Sequence, residues 1–143
     1  MNFKSLDSSF AKSIAEFFSK NFSDGWNEDM LLSAFSSREF FAVGAFFDDS
    51  LVGVVTFTFS IDTADIEDIV TDKNYRRKGI GKDLLKIAEH IIKEKSISKI
   101  FLEVRESNKP AIGLYTNSGY KRLSVRKKYY SDGENAVVMV KEI

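Results

Sequence analysis

Arg76-Arg77-Lys78-Gly79-Ile80-Gly81-Lys82 lies between a stretch patterned as a strand and one patterned as a helix. Four cations and two glycines therefore meet at a helix start. The first turn of a helix exposes backbone N–H groups and carries partial positive charge, so it is a ready anion site. Glycine lets a ligand approach the backbone closely, because no Cβ stands in the way. The expected ligand is phosphorylated, a nucleotide or a cofactor bearing a pyrophosphate.

Two familiar phosphate loops do not fit. A P-loop needs Gly-x-x-x-x-Gly-Lys-Ser/Thr. Gly81-Lys82 supplies its end, but Arg76 replaces the first glycine and Asp83 replaces the hydroxyl that would hold magnesium. A dinucleotide fingerprint needs Gly-x-Gly-x-x-Gly, and Leu84 occupies its third glycine position. What remains is Arg76-x-x-Gly79-x-Gly81.

Working outward, the 143 residues suit one domain, 1–143, with a real core. Thirteen Phe imply an aromatic interior or substrate groove. Lys and Arg number 21 and Asp and Glu number 21, so no global field favours nucleic acid or a membrane surface. With no Cys there is no disulfide, thiolate metal site or cysteine nucleophile, and one His rules out a His-rich metal cluster. No metal is expected. No long apolar run opens the chain, so neither a signal peptide nor a membrane span is expected and the localisation is expected to be cytoplasmic.

Asn2 to Leu6 reads as a first strand. Ser8 to Phe22 carries Phe10, Ile14, Phe17 and Phe18 at helical spacing, and Ser23-Asp24-Gly25 breaks it. Trp26 to Phe35 reads as a second helix, capped by Asn27, with Met30, Leu31 and Ala34 inward. Glu39 to Phe47 and Leu51 to Ile61 read as a hairpin about Asp48-Asp49-Ser50, and Asp65 to Thr71 as another strand. After the loop, Ile80, Leu84, Ile87, Ala88 and Ile91 make one apolar helical stripe. Ser98 to Arg105 reads as a buried strand. Asn108 and Pro110 open a short helix that Gly119 ends. Tyr120 to Tyr130 and Ala136 to Ile143 form a last hairpin about Ser131-Asp132-Gly133. The order predicts an α/β fold, a mixed sheet flanked by helices, with a parallel pair where a helix crosses between strands.

In Ile100-Phe101-Leu102-Glu103-Val104-Arg105, alternation puts Phe101, Glu103 and Arg105 on one face. A carboxylate in such an apolar run must be paired, hydrogen-bonded or working. A pair with Arg105 is the plain structural reading. Asn108 is explained as a helix cap and could also meet a ligand. Tyr115, on a face with Ala111 and Ser118, reads as core or as catalyst. His90 is expected at the surface of its helix. Arg122, Arg126, Lys127 and Lys128 read as a solvated strand face or as an attractor for an acidic partner.

Several stretches together resemble one family. Arg76-x-x-Gly79-x-Gly81 is similar to the acyl-CoA pyrophosphate loop of the GCN5-related N-acetyltransferases. Leu102-Glu103-Val104-Arg105-x-Ser107-Asn108, Ala111-Ile112-x-Leu114-Tyr115, Gly119-Tyr120 and Arg126-x-x-Tyr129-Tyr130 resemble its ribosomal-protein-alanine N-acetyltransferase branch. So do Asp68 to Arg77 and Phe22-Ser23-x-x-Trp26. The resemblance implies that family's fold, a central mixed sheet whose parallel strands splay, and acetyl-CoA as cosubstrate. The backbone of Ile69, Val70 and Thr71 would pair with the pantetheine arm. Arg76, Arg77, Lys78, Gly79, Ile80, Gly81 and Lys82 would hold the pyrophosphate, and Asn108 would lie by the pantetheine. Glu103 would be general base and Tyr115 general acid, with Trp26, Tyr129 and Tyr130 lining the acceptor groove. The acceptor implied is a protein N-terminal α-amine, of Ala on a small-subunit ribosomal protein. A small-amine acetyltransferase and a non-catalytic acyl-CoA-binding module are the alternatives.

The chain departs from the family pattern in places. Thr71 stands for an aliphatic residue and Lys73 for a common Pro. The loop Tyr129 to Ala136 is short, with Asn135 where the family has Asp. Glu67 and Asp68 are further base candidates, since other members draw a base from that strand.

Overall fold

The computed structural model describes residues 1–143. Its strands are β1 (Asn2–Leu6), β2 (Phe40–Phe47), β3 (Ser50–Phe59), β4 (Thr63–Thr71), β5 (Lys99–Arg105), β6 (Lys121–Arg126) and β7 (Ala136–Glu142). Its helices are α1 (Ala11–Asn21), α2 (Glu28–Phe35), α3 (Ile80–Glu94) and α4 (Lys109–Asn117). The strands form one mixed sheet in the order β1-β2-β3-β4-β5-β7-β6. Only β4 and β5 pair in parallel, on either side of the crossover through α3. No helix is long and apolar enough to cross a membrane.

Each face of the sheet has its own core. Ile80, Leu84, Leu85, Ala88 and Ile92 of α3, with Tyr115 and Tyr120, pack on Val43, Val55, Phe57, Ile66 and Leu102. Ile14, Phe17 and Phe18 of α1 and Leu31 of α2 pack on Phe40, Ala42, Val54 and Val70 of the other face. Most of the phenylalanines serve these cores: Trp26 stacks on Phe40 at 6.0 Å, and Phe35 meets Phe40 edge-on at 5.0 Å. Gly53 brings β3 against α3; a Cβ there would stand 2.8 Å from Ile80 Cγ2.

Several elements differ from their sequence readings. Helix α2 starts at Glu28, where the Asn27 side chain accepts from the Met30 N–H at 2.9 Å. In that phase Leu31 is buried and Met30 is 48% exposed, so Met30 does not face inward. On α3 the buried row includes Leu85 and Ile92, with Ile87 and Ile91 only half-buried, because the helix meets the sheet over a broader arc than one stripe. Strand β6 ends at Arg126 and does not reach Tyr130; residues 127–135 form a loop. Asp48 and Asp49 both take positive φ, the geometry of a tight hairpin turn.

The feature that positions the site lies between β4 and β5. Their parallel pairing runs from Thr63–Lys99 to Ile66–Leu102 and stops there. Beyond it β4 stays with β3 through Thr71, and β5 stays with β7 through Arg105. The register of β3 and β4 shifts at the same level: Thr56 faces Asp68 and Phe57 faces Ile66, which leaves Glu67 as the extra residue of a bulge. A bulge bends its strand and sharpens the twist, so β4 turns away from β5.

Candidate active site

The parted strands open a cavity on each side. One, of about 860 Å³, is lined by Ile69, Val70, Thr71, Arg76, Arg77, Gly79, Ile80, Gly81, Lys82 and Asn108 among others. Lys78 belongs to the same loop but is not in that lining. Gly79 is the N-cap of α3 at φ +81°, a left-handed conformation that L side chains adopt only with strain. Arg77 also has positive φ, 65°. The start of α3, from Gly79 to Lys82, thus lines this cavity together with Arg76 and Arg77. The donor set fits a pyrophosphate, and the β5-facing edge of β4, unpaired beyond Ile66, fits an extended amide-bearing arm.

The second cavity, of about 760 Å³, is lined by Trp26, Asp65, Glu67, Asp68, Glu103, Tyr129 and Tyr130 among others. Ile69, Arg105, Asn108 and Tyr115 line both. The sequence-derived candidates therefore meet around one gap, cofactor-type residues on one side and acceptor-type residues on the other.

Glu103 does not pair with Arg105. Arg126 Nη1 donates to Glu103 Oε1 at 3.1 Å, while Glu103 Oε2 is buried with no hydrogen-bond partner. An unpartnered buried carboxylate oxygen is costly unless something else supplies its proton or donor. Arg126 is solvated, as the strand-face reading expects, with its side chain 57% exposed, and its guanidinium lies 4.9 Å from the centre of the Tyr129 ring. His90 is exposed, as its helical position implied, and lies 3.5 Å from Glu94.

Tyr115 is 7% exposed, its ring edge-on to Tyr120 at 5.9 Å. Tyr120 is itself anchored, its hydroxyl donating to Glu89 Oε2 at 2.9 Å. Burial, then the charges of Asp68 and Tyr130, push the Tyr115 phenol up, so it keeps its proton at neutral pH. Asn108 caps α4, its Oδ1 accepting from the Ala111 N–H at 3.2 Å, and lines both cavities as well, so its structural and ligand-facing readings coexist.

The second cavity is acidic. Asp65 is pushed up by burial and then by Glu103, and Glu67 by burial, with Thr58 donating to its Oε1 at 2.9 Å. Asp68 is pushed up to about 7 by burial, then by Glu67 and Asp24. The Asp24–Arg105–Asp132–Glu134 cluster was not foreseen. Its members are far apart in the chain, and their residue types alone carried no signal of contact.

Fold and cavities define an α/β protein whose own sheet is parted between β4 and β5, with a cavity on each side of the gap. The acetyltransferase (GNAT) family model matches residues 8–120, and the chain belongs to that family, whose enzymes use acetyl-CoA. The chain is 39% identical over 85 residues to the [ribosomal protein bS18]-alanine N-acetyltransferase of Escherichia coli, covering 55% of each chain. It is 46% identical over 68 residues to an N-alpha-acetyltransferase of Sulfurisphaera tokodaii, covering 47% of this chain and 41% of that one. The matches thus span about half the length of these relatives. The fold matches the crystal structure of the E. coli ribosomal-protein-S18-alanine N-acetyltransferase with a TM-score of 0.91, at 24% identity, over 99% of this chain and 93% of that one. It also matches a PaiA N-acetyltransferase of Thermoplasma acidophilum in complex with coenzyme A, with a TM-score of 0.76 at 21% identity over the whole of both chains.

Proposed function

We propose that this chain transfers acetyl from acetyl-CoA to the α-amine of a protein N-terminus, that of Ala on a small-subunit ribosomal protein. The observation that carries the reading is the unpartnered Glu103 Oε2 on the acceptor side of a gap that Tyr115 also lines. The relatives named as α-amine acetyltransferases support the acceptor class.

Each residue has one task in this reading. Ile69, Val70 and Thr71 offer backbone N–H and C=O groups to the pantetheine arm, and the loop from Arg76 to Lys82 neutralises the pyrophosphate. Acetyl-CoA supplies the thioester. Glu103 accepts a proton from the incoming ammonium, so that the amine nitrogen forms a bond to the thioester carbonyl carbon. An α-amine titrates near 7.7–8.0, so a carboxylate base suffices near neutral pH. As the C–S bond breaks, Tyr115 gives its proton to the departing CoA thiolate, and the excess proton on the acylated nitrogen leaves to the Tyr115 phenolate, so that a neutral amide and a restored phenol result. Trp26, Tyr129 and Tyr130 hold the peptide, and positioning supplies much of the acceleration.

The acidity of the cleft favours a second reading, a small polycationic amine as acceptor. CoA release, followed with acetyl-CoA and a panel of Ala-initiated peptides, spermidine and other small amines, separates the two. Preference for the peptide supports the proposal. Preference for spermidine assigns the small-amine class, and acetyl-CoA binding without turnover of any acceptor leaves a binding module.

A further inference from the structure

Arg105 is the most heavily engaged side chain of the acceptor cleft. Its Nε and Nη2 donate to the two Asp24 oxygens, each at 2.7 Å, a bidentate pair. Its Nη1 donates to Asp132 Oδ2 at 2.8 Å and to Glu134 Oε1 at 2.9 Å. The guanidinium also lies 4.1 Å from the centre of the Tyr130 ring. Glu134 is held from its other side, its Oε2 accepting from the Ser107 N–H at 2.7 Å. The side chains of Arg105, Asp24 and Glu134 are 20%, 26% and 25% exposed, so those pairs are shielded from water, while Asp132 at 59% is the solvated member.

What the ties join is informative. Asp24 sits between α1 and α2, in the wall that also carries Phe22 and Trp26. Asp132 and Glu134 sit between β6 and β7, in the loop that carries Tyr129 and Tyr130. These loops come from opposite ends of the chain, and both hydrogen bonds of the Asp24 carboxylate run to Arg105. Three carboxylates gathered on one cation repel one another once it is gone. The two walls then have a reason to part.

We propose that Arg105 is a positioning residue that clamps the two walls of the acceptor cleft, and so sets how tightly the acceptor is held. This rests on the assignment of the larger-aromatic side of the gap to the acceptor. The clamp also explains how a shortened Tyr129–Ala136 loop is kept in place: it is held from β5 by a side chain, with no need of its own length.

The test has two arms. The chain has no cysteine, so Ser23→Cys and Ser131→Cys can carry one spin label on each wall. Pulsed electron resonance should give a narrow label distance in the otherwise native protein and a longer, broader one with Arg105→Met. Steady-state kinetics of the unlabelled Arg105→Met, Arg105→Lys and Asp24→Asn proteins form the second arm, with acetyl-CoA and the best acceptor of the panel. The KM for acceptor should rise by roughly tenfold or more in Arg105→Met, less in the other two, with kcat and the KM for acetyl-CoA changed far less. An unchanged distance distribution overturns the clamp. So does a widened cleft whose acceptor KM is unmoved, or a loss that falls on kcat and both KM values alike. If the native protein turns over no acceptor, the proposed activity fails by itself, and the label distance still decides whether Arg105 joins the walls.

Discussion

Arg126 holds one oxygen of Glu103 and leaves the other without a donor. A carboxylate bound at both oxygens is a structural group; one bound at a single oxygen is oriented and still able to accept a proton. Arg126 is itself more than half exposed, so water screens its hold on Glu103.

Glu103→Gln keeps the size of the side chain and its contact to Arg126 but removes the base. Turnover is expected to fall by roughly 10²–10⁴ near neutral pH, the scale of general acid–base groups. It should recover in part above about pH 8, where an α-amine loses its proton unaided. The pH profile of kcat/KM checks this. Glu67→Gln should do less, since the family resemblance places the base one strand later, at Glu103 on β5. The reverse order would move the base to β4.

Tyr115→Phe retains the ring packing against Tyr120 and deletes one hydroxyl. If the hydroxyl protonates the leaving thiolate, kcat falls by roughly 10²–10⁴ while the KM for acetyl-CoA stays near its native value. A rate close to native would make Tyr115 a core residue only.

Acetyl-CoA should raise the melting temperature, because a ligand of the folded state stabilises it by mass action. Gly79→Val places a β-branched residue at φ +81° and should destabilise by on the order of 1–3 kcal/mol. It should also remove most of the ligand-induced shift. Arg77→Glu should remove that shift through charge alone. Scanning calorimetry with and without acetyl-CoA distinguishes strain from lost binding, and retention of the full shift in both variants would falsify the assignment of this loop.

Asp68 predicts a pH dependence of stability. Its carboxyl titrates near 7 in the folded protein and near 3.9 when unfolded. Between those values the folded state holds a proton that the unfolded chain has released. Stability therefore falls as pH rises from about 4 to about 7 on this account, and is level above. Asp68→Asn has no charge to bury. At pH 8 it should be more stable than the native protein by on the order of 2 kcal/mol, an advantage that fades toward pH 4. Denaturant titrations at the two pH values measure the difference.

The succession of elements along the chain, the crossover and the loop were legible because each rests on local chemistry; the place of β7 between β5 and β6 was not. Alternation marks β4 and β5, and the glycines and cations mark the turn into α3. On α2 the cap Asn27 and the inward Leu31 and Ala34 were legible, whereas Met30 faces out and Trp26 lies ahead of the helix, its ring on Phe40. Glu103 and Arg105, two residues apart on one face, invited a pairing that the fold refuses. Their partners come from residues 23 to 81 positions away, which no local pattern encodes. The bulge at Glu67 was equally invisible, because its cause is a register shift against β3 and not a residue type.

The short parallel seam has a mechanical consequence. Only four residue pairs, Thr63–Lys99 through Ile66–Leu102, stitch the plate formed by β1 to β4 to the plate formed by β5, β7 and β6. Those four rungs fix the height of Glu103 against Ile69, Val70 and Thr71. A slip of one rung would displace the two plates by about 3.3 Å, more than the length of a hydrogen bond, and turn alternate side chains to the wrong face. Chemical alignment in this molecule is thus an outcome of strand register, and the residues that guard it are Ala64, Ile66, Ile100 and Leu102, apolar side chains buried where the two plates meet.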